Sequence, residues 1–214
     1  MTNGPVFLLL LAVAGLLLSP AVELVIARGL PRLGGLPSLS VRITTAAVTG
    51  LLFALLGWRF GMGAELPAFL LLALLGVQLS RIDFMLHLLP NRLVLTLLSG
   101  GLALLALSSS LEPGWTELPR ALAGGFILFA GYLILGLISP GSLGMGDVKL
   151  AAPLGMYLGY LGWQQVLFGG LLGFVVGGVL TVALLRLRSA EKPAETAHGP
   201  AMVIATLGII LALN

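Results

Sequence analysis

The sequence predicts an all-α integral membrane protein, a single polytopic domain over residues 1–214 with about eight transmembrane helices and both termini outside. Three observations carry that prediction. Hydrophobic residues make up 58% of the chain and charged residues only 9%, giving a mean hydropathy of +1.12, far outside the range of soluble domains. Apolar runs close to the length a helix needs to cross a bilayer recur from one end to the other. The few basic residues collect at alternate breaks between those runs.

The runs lie near residues 5–27, 43–58, 67–82, 92–108, 119–138, 147–160, 164–185 and 199–213. Several are short for a bilayer, which tilting or local thinning accommodates. Proline and glycine punctuate the breaks: Pro31 to Pro37, Gly61 to Gly63, Pro90-Asn91, Pro113-Gly114, Pro140-Gly141 and Pro200. The first run has no basic residue before it, and Arg28 and Arg32 follow it. That is the charge order of a retained helix whose start is outside, not of a cleaved signal peptide. On this orientation Arg28, Arg32, Arg42, Arg81, Arg92, Lys149, Arg186, Arg188 and Lys192 fall at inner breaks, and only Arg59 and Arg120 at outer ones. Trp58, Trp115 and Trp163 all come at outer ends of runs, as an aromatic belt requires. The interval 28–42 is then a short cytoplasmic loop.

Composition also excludes several classes. The net charge of +3 comes from few charges, so the chain does not read as a nucleic-acid binder. With no cysteine, disulfides, thiolate metal sites and a Cys nucleophile are all ruled out.

Of the eight acidic residues, Glu65, Glu112 and Glu117 fall in outer loops and Glu191 and Glu195 in the last inner loop, where solvated charge is ordinary. Glu23, just inside the first run, is expected to pack near Arg28 at the inner interface. The two aspartates differ. Asp83 ends the third run in "LSRIDFMLHLLPNRL", Asp147 opens the sixth in "GSLGMGDVKL", and both fall at the cytoplasmic face. A carboxylate at mid-bilayer costs about 2.5–3.5 kcal/mol, so acids at run ends are cheaper and call for a reason.

Two carboxylates at one depth suit hydrolysis of a peptide bond. One, ionised, takes a proton from the attacking water; the other, protonated, donates one, and close carboxylates share a proton because they cannot both ionise cheaply. Gly144 and Gly146 would allow unusual backbone angles and close approach of an extended substrate. Residues 83–91 and 139–149 are therefore the candidate catalytic loops, with Pro140-Gly141 ending the fifth helix. Taken singly, each aspartate has a plainer reading: Asp147 as a helix N-cap, Asp83 as an interfacial charge paired with Arg81 or Arg92. His87 reads as an interfacial histidine. Lys149 either balances charge beside Asp147 or snorkels to headgroups. Pro90 ends its loop and Asn91 caps the fourth helix, which positions Asp83. Helix direction favours ionised Asp147, at a helix start, as base and Asp83, at a helix end, as acid.

"GMGDVKL" together with "IDFMLHLLPN" resembles the type IV prepilin peptidases, the G-x-G-D membrane aspartic proteases. Members carry one aspartate followed after six residues by Pro-Asn or Pro-Asp, and a second in G-x-G-D-x-K. Here these are Asp83 with Pro90 and Asn91, and Gly144, Gly146, Asp147 and Lys149. "VELVIARGLPR" resembles the family's first cytoplasmic border and "GPAM" at 199–202 its last helix. The resemblance implies a catalytic Asp83/Asp147 pair that removes the short basic leader of prepilin-like membrane proteins. The setting it implies is the bacterial cytoplasmic membrane, with the lipid bilayer as the other partner. Bifunctional members carry a cytoplasmic domain with paired C-x-x-C motifs between the first two helices. Interval 28–42 is too short for one, so no metal or other cofactor is expected, and the accompanying N-methylation is not expected either. The alternative class is a proton-coupled transporter using the aspartates as a relay, but such acids usually sit near the midplane on broken helices of internal repeats. No repeat is visible here.

Overall fold

A computed structural model gives the protein's architecture and describes residues 4–111, 115–138, 143–187 and 198–213. The breaks at Pro113-Gly114 and Pro140-Gly141, the charges Glu112, Arg188, Glu191, Lys192 and Glu195, and residues 139–142 of the 139–149 loop lie outside the described residues. Among the described residues there are eight α-helices and no strand: α1 (Pro5–Gly29), α2 (Leu39–Phe60), α3 (Leu66–Leu86), α4 (Asn91–Leu111), α5 (Glu117–Ile138), α6 (Met145–Leu161), α7 (Trp163–Leu187) and α8 (Gly199–Ala212). A single 3₁₀ turn at Pro31–Leu33 lies between α1 and α2. Each helix covers one apolar run, extended by a few residues into the flanking polar sequence.

Helices α1 to α5 are long and apolar enough to cross a membrane; α7 and α8 contain shorter apolar stretches, Trp163–Val179 and Gly199–Ala212. Helix α6 is not among them. Its 17 residues reach about 25 Å, and Asp147 and Lys149 in its first turns lower its hydropathy. It is also among the most deeply buried helices: Leu150, Ala151, Leu154, Met156, Tyr157 and Leu158 are all buried against the core. Helix α3 is its counterpart, with Phe69, Leu72 and Leu79 fully buried. Helix α1, by contrast, exposes Val6, Leu9, Leu17 and Val25. These bare aliphatic faces are the normal exterior of a helix in lipid.

The helix ends are fixed by local chemistry. Gly61, at φ +62°, terminates α2 in a conformation that a residue with a Cβ adopts only with strain. Helix α3 ends at His87, which adopts a left-handed conformation (φ 51°) and donates its N–H to Asp83 O at 2.8 Å. At the opposite end of the bundle, two arginines hold free helix-end carbonyls. The Arg120 guanidinium donates to Gly159 O (2.7 Å), Tyr160 O (2.6 Å) and Leu161 O (3.2 Å) at the end of α6. Arg59 donates to Ile210 O and Leu213 O at the end of α8.

Helices α5 and α6 form the most extensive pair, and glycine makes it possible. A Cβ at Gly155 would stand 2.5 Å from Gly124 O, and one at Gly124 would stand 2.6 Å from Gly155 O. Small residues at such a seam let backbones approach within lipid, where packing rather than hydrophobicity drives association. The same device joins α1 to α2, where a Cβ at Gly15 would meet Gly50 Cα at 2.8 Å. Gly155→Ala should therefore force α5 and α6 apart, at a cost of about 1–3 kcal/mol. Gly131→Ala on α5, where a Cβ would have nothing within 4 Å, should not destabilise. Thermal unfolding of the two purified variants in detergent measures the difference; equal midpoints would contradict the seam.

Candidate active site

Asp83 and Asp147 come together at one end of the bundle. Asp83 lies inside the last turn of α3, not beyond it, because the helix continues through Phe84, Met85 and Leu86. Both side chains are buried, at 6% and 8% exposure, and the Asp83 carboxylate lies within electrostatic reach of Asp147.

Each aspartate is held by a backbone N–H at a helix start. Asp147 is the third residue of α6, not its N-cap as the sequence reading allowed; Gly144 takes that position. The Gly144 N–H donates to Asp147 Oδ2 at 3.3 Å, and the Asp147 N–H returns a bond to Gly144 O at 3.0 Å. The acid therefore closes its own helix terminus, an arrangement matched to the positive end of the helix dipole. Asp83 Oδ2 accepts the Gly199 N–H at 3.0 Å, across 116 residues of chain. Gly199 is the first residue of α8, and a Cβ there would stand 2.8 Å from that oxygen. Asp83 thus also faces a helix start, which removes the asymmetry by which helix direction assigned base to Asp147 and acid to Asp83.

The glycines of G-x-G-D do something other than expected. Neither has a positive φ: Gly144 is extended at φ −72° and Gly146 is helical. At Gly146 a Cβ would meet Leu89 Cβ at 3.0 Å, so this glycine admits the loop after α3 against the first turn of α6. Its absent side chain serves packing that draws the two aspartate-bearing segments together.

The remaining candidates are ordered around this pair. Pro90 O accepts the N–H groups of Leu93 and Val94 as α4 begins. Asn91 is the first residue of α4, and its Oδ1 accepts from Lys149 Nζ at 3.1 Å. Lys149 therefore ties α6 to α4 at the site end. His87 is exposed at the end of α3, with its charge within reach of Asp83. Among the described residues no group of three or more His, Cys, Asp or Glu is placed to hold an ion.

Glu23 does not pack with Arg28. It is fully buried, with Oε2 paired to Arg42 Nε at 3.3 Å and Oε1 accepting the Thr45 hydroxyl at 2.6 Å. Gln78 Nε2 donates to Ser19 Oγ at 3.1 Å and reaches Glu23 Oε1 at 3.5 Å. The Arg81 charge also acts on Glu23. Arg42 lies 19 residues on, at the start of α2, where the antiparallel return of the chain brings it beside Glu23; Arg28, on α1 itself, is more than a turn farther along. This cluster joins α1 and α2 to α3 just before Asp83. Removing the carboxylate strands Arg42, Thr45 and Gln78 together, so Glu23→Ala should cost about 2–3 kcal/mol, whereas Glu23→Gln keeps the Thr45 and Gln78 bonds and should cost less. Thermal unfolding in detergent separates the two; an unchanged midpoint for Glu23→Ala would count against the cluster.

Sequence reasoning missed Gly199, Tyr132 and His198 as site neighbours. Tyr132 of α5 is buried and within electrostatic reach of Asp147. The one available signal was Gly199-Pro200 at the start of the last run, where a glycine precedes the helix-opening proline.

An all-helical chain of membrane-crossing helices with two buried carboxylates facing helix starts defines a multi-pass membrane protein with an acid pair at one end. Residues 68–182 match the model of the type IV leader peptidase family, which covers more than half of the chain and includes both aspartates. The chain belongs to that family. It is similar to proteins named prepilin leader peptidase/N-methyltransferase from Stutzerimonas stutzeri (37% identical over 159 residues) and Pseudomonas aeruginosa (36% over 160 residues). Each of these alignments covers 73% of this chain and 53% of the relative. A third, from Klebsiella pneumoniae, is 38% identical over 120 residues, covering 56% of this chain and 52% of the relative. The chain spans about half the length of the curated relatives it matches. No solved structure matches it.

Proposed function

We propose that the chain is a membrane aspartic endopeptidase that removes the short basic leader of prepilin-like proteins at the cytoplasmic face of the bacterial inner membrane. The observation that carries this reading is the pairing, in a chain of the type IV leader peptidase family, of two buried aspartates at one end of the bundle, each met by a backbone N–H. In the proposed reaction, ionised carboxylate accepts a proton from water as the water attacks the scissile carbonyl. The protonated partner donates to the carbonyl oxygen; as the tetrahedral intermediate collapses, the first carboxyl passes its newly gained proton to the leaving amine and the partner regains one from the gem-diol hydroxyl. Gly199 and Gly144 hold the two side chains, and Lys149 with Asn91 steadies the surrounding ends. No cofactor enters this scheme.

Orientation is part of the same proposal: both termini outside, with the aspartate end facing the cytoplasm. Support comes from the helix ends, since Arg42, Arg81, Arg92 and Lys149 gather at the aspartate end while Arg59 and Arg120 sit at the other. Trp58, Trp115 and Trp163 are exposed and fall at that opposite end. The chain has no native cysteine, so single cysteines report cleanly. A cysteine at Ser38 should label only from the cytoplasmic side and one at Thr116 only from the other side; labelling of both from one side would overturn the orientation.

The pair itself is tested by substitution. Asn keeps the shape of Asp without its ionisation, so Asp83→Asn and Asp147→Asn should each lower cleavage by about 10³-fold or more, and the double variant should be no worse than either. Mass analysis of the new N-terminus of a prepilin-like substrate, with expression and unfolding midpoint as controls, reads the result. Substantial cleavage by either purified variant would refute the dyad.

A further inference from the structure

The start of α8 is held by more than its bond to Asp83. His198, the residue before α8, places its imidazole in a notch of α7: at Gly177 a Cβ would run into ring atoms Cε1 and Nδ1. Tyr132 of α5 flanks the ring with centroids 6.0 Å apart, and Phe174 of α7 at 5.6 Å. Those two rings stack on each other at 4.8 Å and 26°. Among the described residues His198 Nε2 is buried without a hydrogen-bond partner, and burial holds the imidazole below its ordinary pKa. The ring is placed by its shape, seated in the Gly177 notch between Tyr132 and Phe174. One residue further on, the Gly199 N–H reaches Asp83 Oδ2 at 3.0 Å, while Tyr132, on the other side of the ring, lies within electrostatic reach of Asp147.

We propose that Tyr132, Phe174 and His198 form an aromatic wedge that positions the catalytic pair, with the His198 ring in the Gly177 notch fixing the start of α8 so that the Gly199 N–H meets Asp83. The wedge also spans the gap between the elements of the two aspartates, from α8 beside Asp83 to α5 beside Asp147. These are positioning residues, acting through Gly199 and through packing. The inference rests on the reading of Asp83 and Asp147 as the catalytic pair. A proton-relay histidine at the same place would behave in the opposite way when its nitrogens are removed and its ring is kept.

The test compares His198→Phe, which keeps a ring and removes both nitrogens, with His198→Ala, which removes the ring, in the full chain. Two readouts are taken: cleavage of a prepilin-like substrate across pH, and hydrogen exchange of the Gly199 amide by NMR on ¹⁵N-glycine-labelled protein. His198→Phe should cleave within about threefold of the parent with an unchanged pH profile. His198→Ala should lose about tenfold or more, since small misplacements of reacting groups cost that much. The Gly199 amide should stay protected in the parent and in His198→Phe and exchange at least about tenfold faster in His198→Ala. Should His198→Ala fail to insert, Gly177→Ala displaces the ring instead and should give the same two losses. His198→Phe as inactive as Asp83→Asn, with Gly199 still protected, would overturn the inference in favour of nitrogen chemistry. Full cleavage and full protection in His198→Ala would overturn it outright. If the parent cleaves no prepilin-like substrate, the peptidase reading fails by itself, and the exchange readout alone decides: protection that follows the ring upholds the wedge, and protection indifferent to the ring removes it.

Discussion

The buried ion pair and the side-chain bonds to free helix ends in this protein answer one constraint: hydrocarbon offers no water to solvate a charge or an unpaired backbone group. Glu23, deep in α1, is met by Arg42, Thr45 and Gln78. Arg59 and Arg120 spend their donors on the free carbonyls at the ends of α8 and α6, so each cation solves two problems together. The two buried aspartates are treated differently. Among the described residues no cation lies at ion-pair distance from either carboxylate; each instead receives a backbone N–H from a helix start. A full counter-ion would lock a carboxylate in its charged state. A backbone N–H and a helix dipole stabilise it less and leave it able to exchange a proton, which is the property acid and base chemistry requires.

The glycine seams follow from the same constraint. Because lipid tails are as apolar as leucine side chains, helices gain by approaching closely and not by hiding apolar surface. Gly124 and Gly155 let α5 and α6 touch backbone to backbone, and Arg120 clamps the far end of the same pair. A short, buried α6 bonded along its length to α5 is a stiff mount for Asp147. Gly146 and Leu89 then bring the end of α3 against that mount. The site is thus placed by α6 on its α5 mount together with the loop after α3, which Leu89 seats against Gly146.

Much of this was legible in the sequence. Apolar runs mark α1 to α8 within a few residues because the hydrophobic period and the Pro/Gly breaks act locally. Asp83 and Asp147 stand out because an acid near an apolar run has no cheap explanation. What could not be read depends on which helices become neighbours. Arg28 and Arg42 are equally basic in the sequence, and only the antiparallel packing of α1 on α2 selects Arg42 for Glu23. The G-x-G-D glycines advertise backbone freedom, yet Gly146 is helical and its missing side chain is filled by Leu89, a residue 57 positions earlier. Gly199 donates an N–H that no side-chain pattern can announce.

That last contact changes the chemistry open to the pair. Reading helix direction alone, Asp147 sits at a positive helix end and Asp83 at a negative one, which separates base from acid. The start of α8 supplies Asp83 with a positive helix end, which α3 does not offer it. The two carboxylates then share burial and one backbone N–H each, and differ in their neighbours: the His87 charge lies within reach of Asp83 and Tyr132 within reach of Asp147. In the proposed dyad a single proton is shared by the two carboxylates, and titration belongs to the pair. In the proposed reaction, a peptide carbonyl approaching from one side would place its oxygen nearer one carboxylate and leave the water to the other. Roles set by the bound substrate suit the proposed hydrolysis, in which each group passes through the opposite protonation state at the tetrahedral intermediate and returns to its own by the end of the turnover.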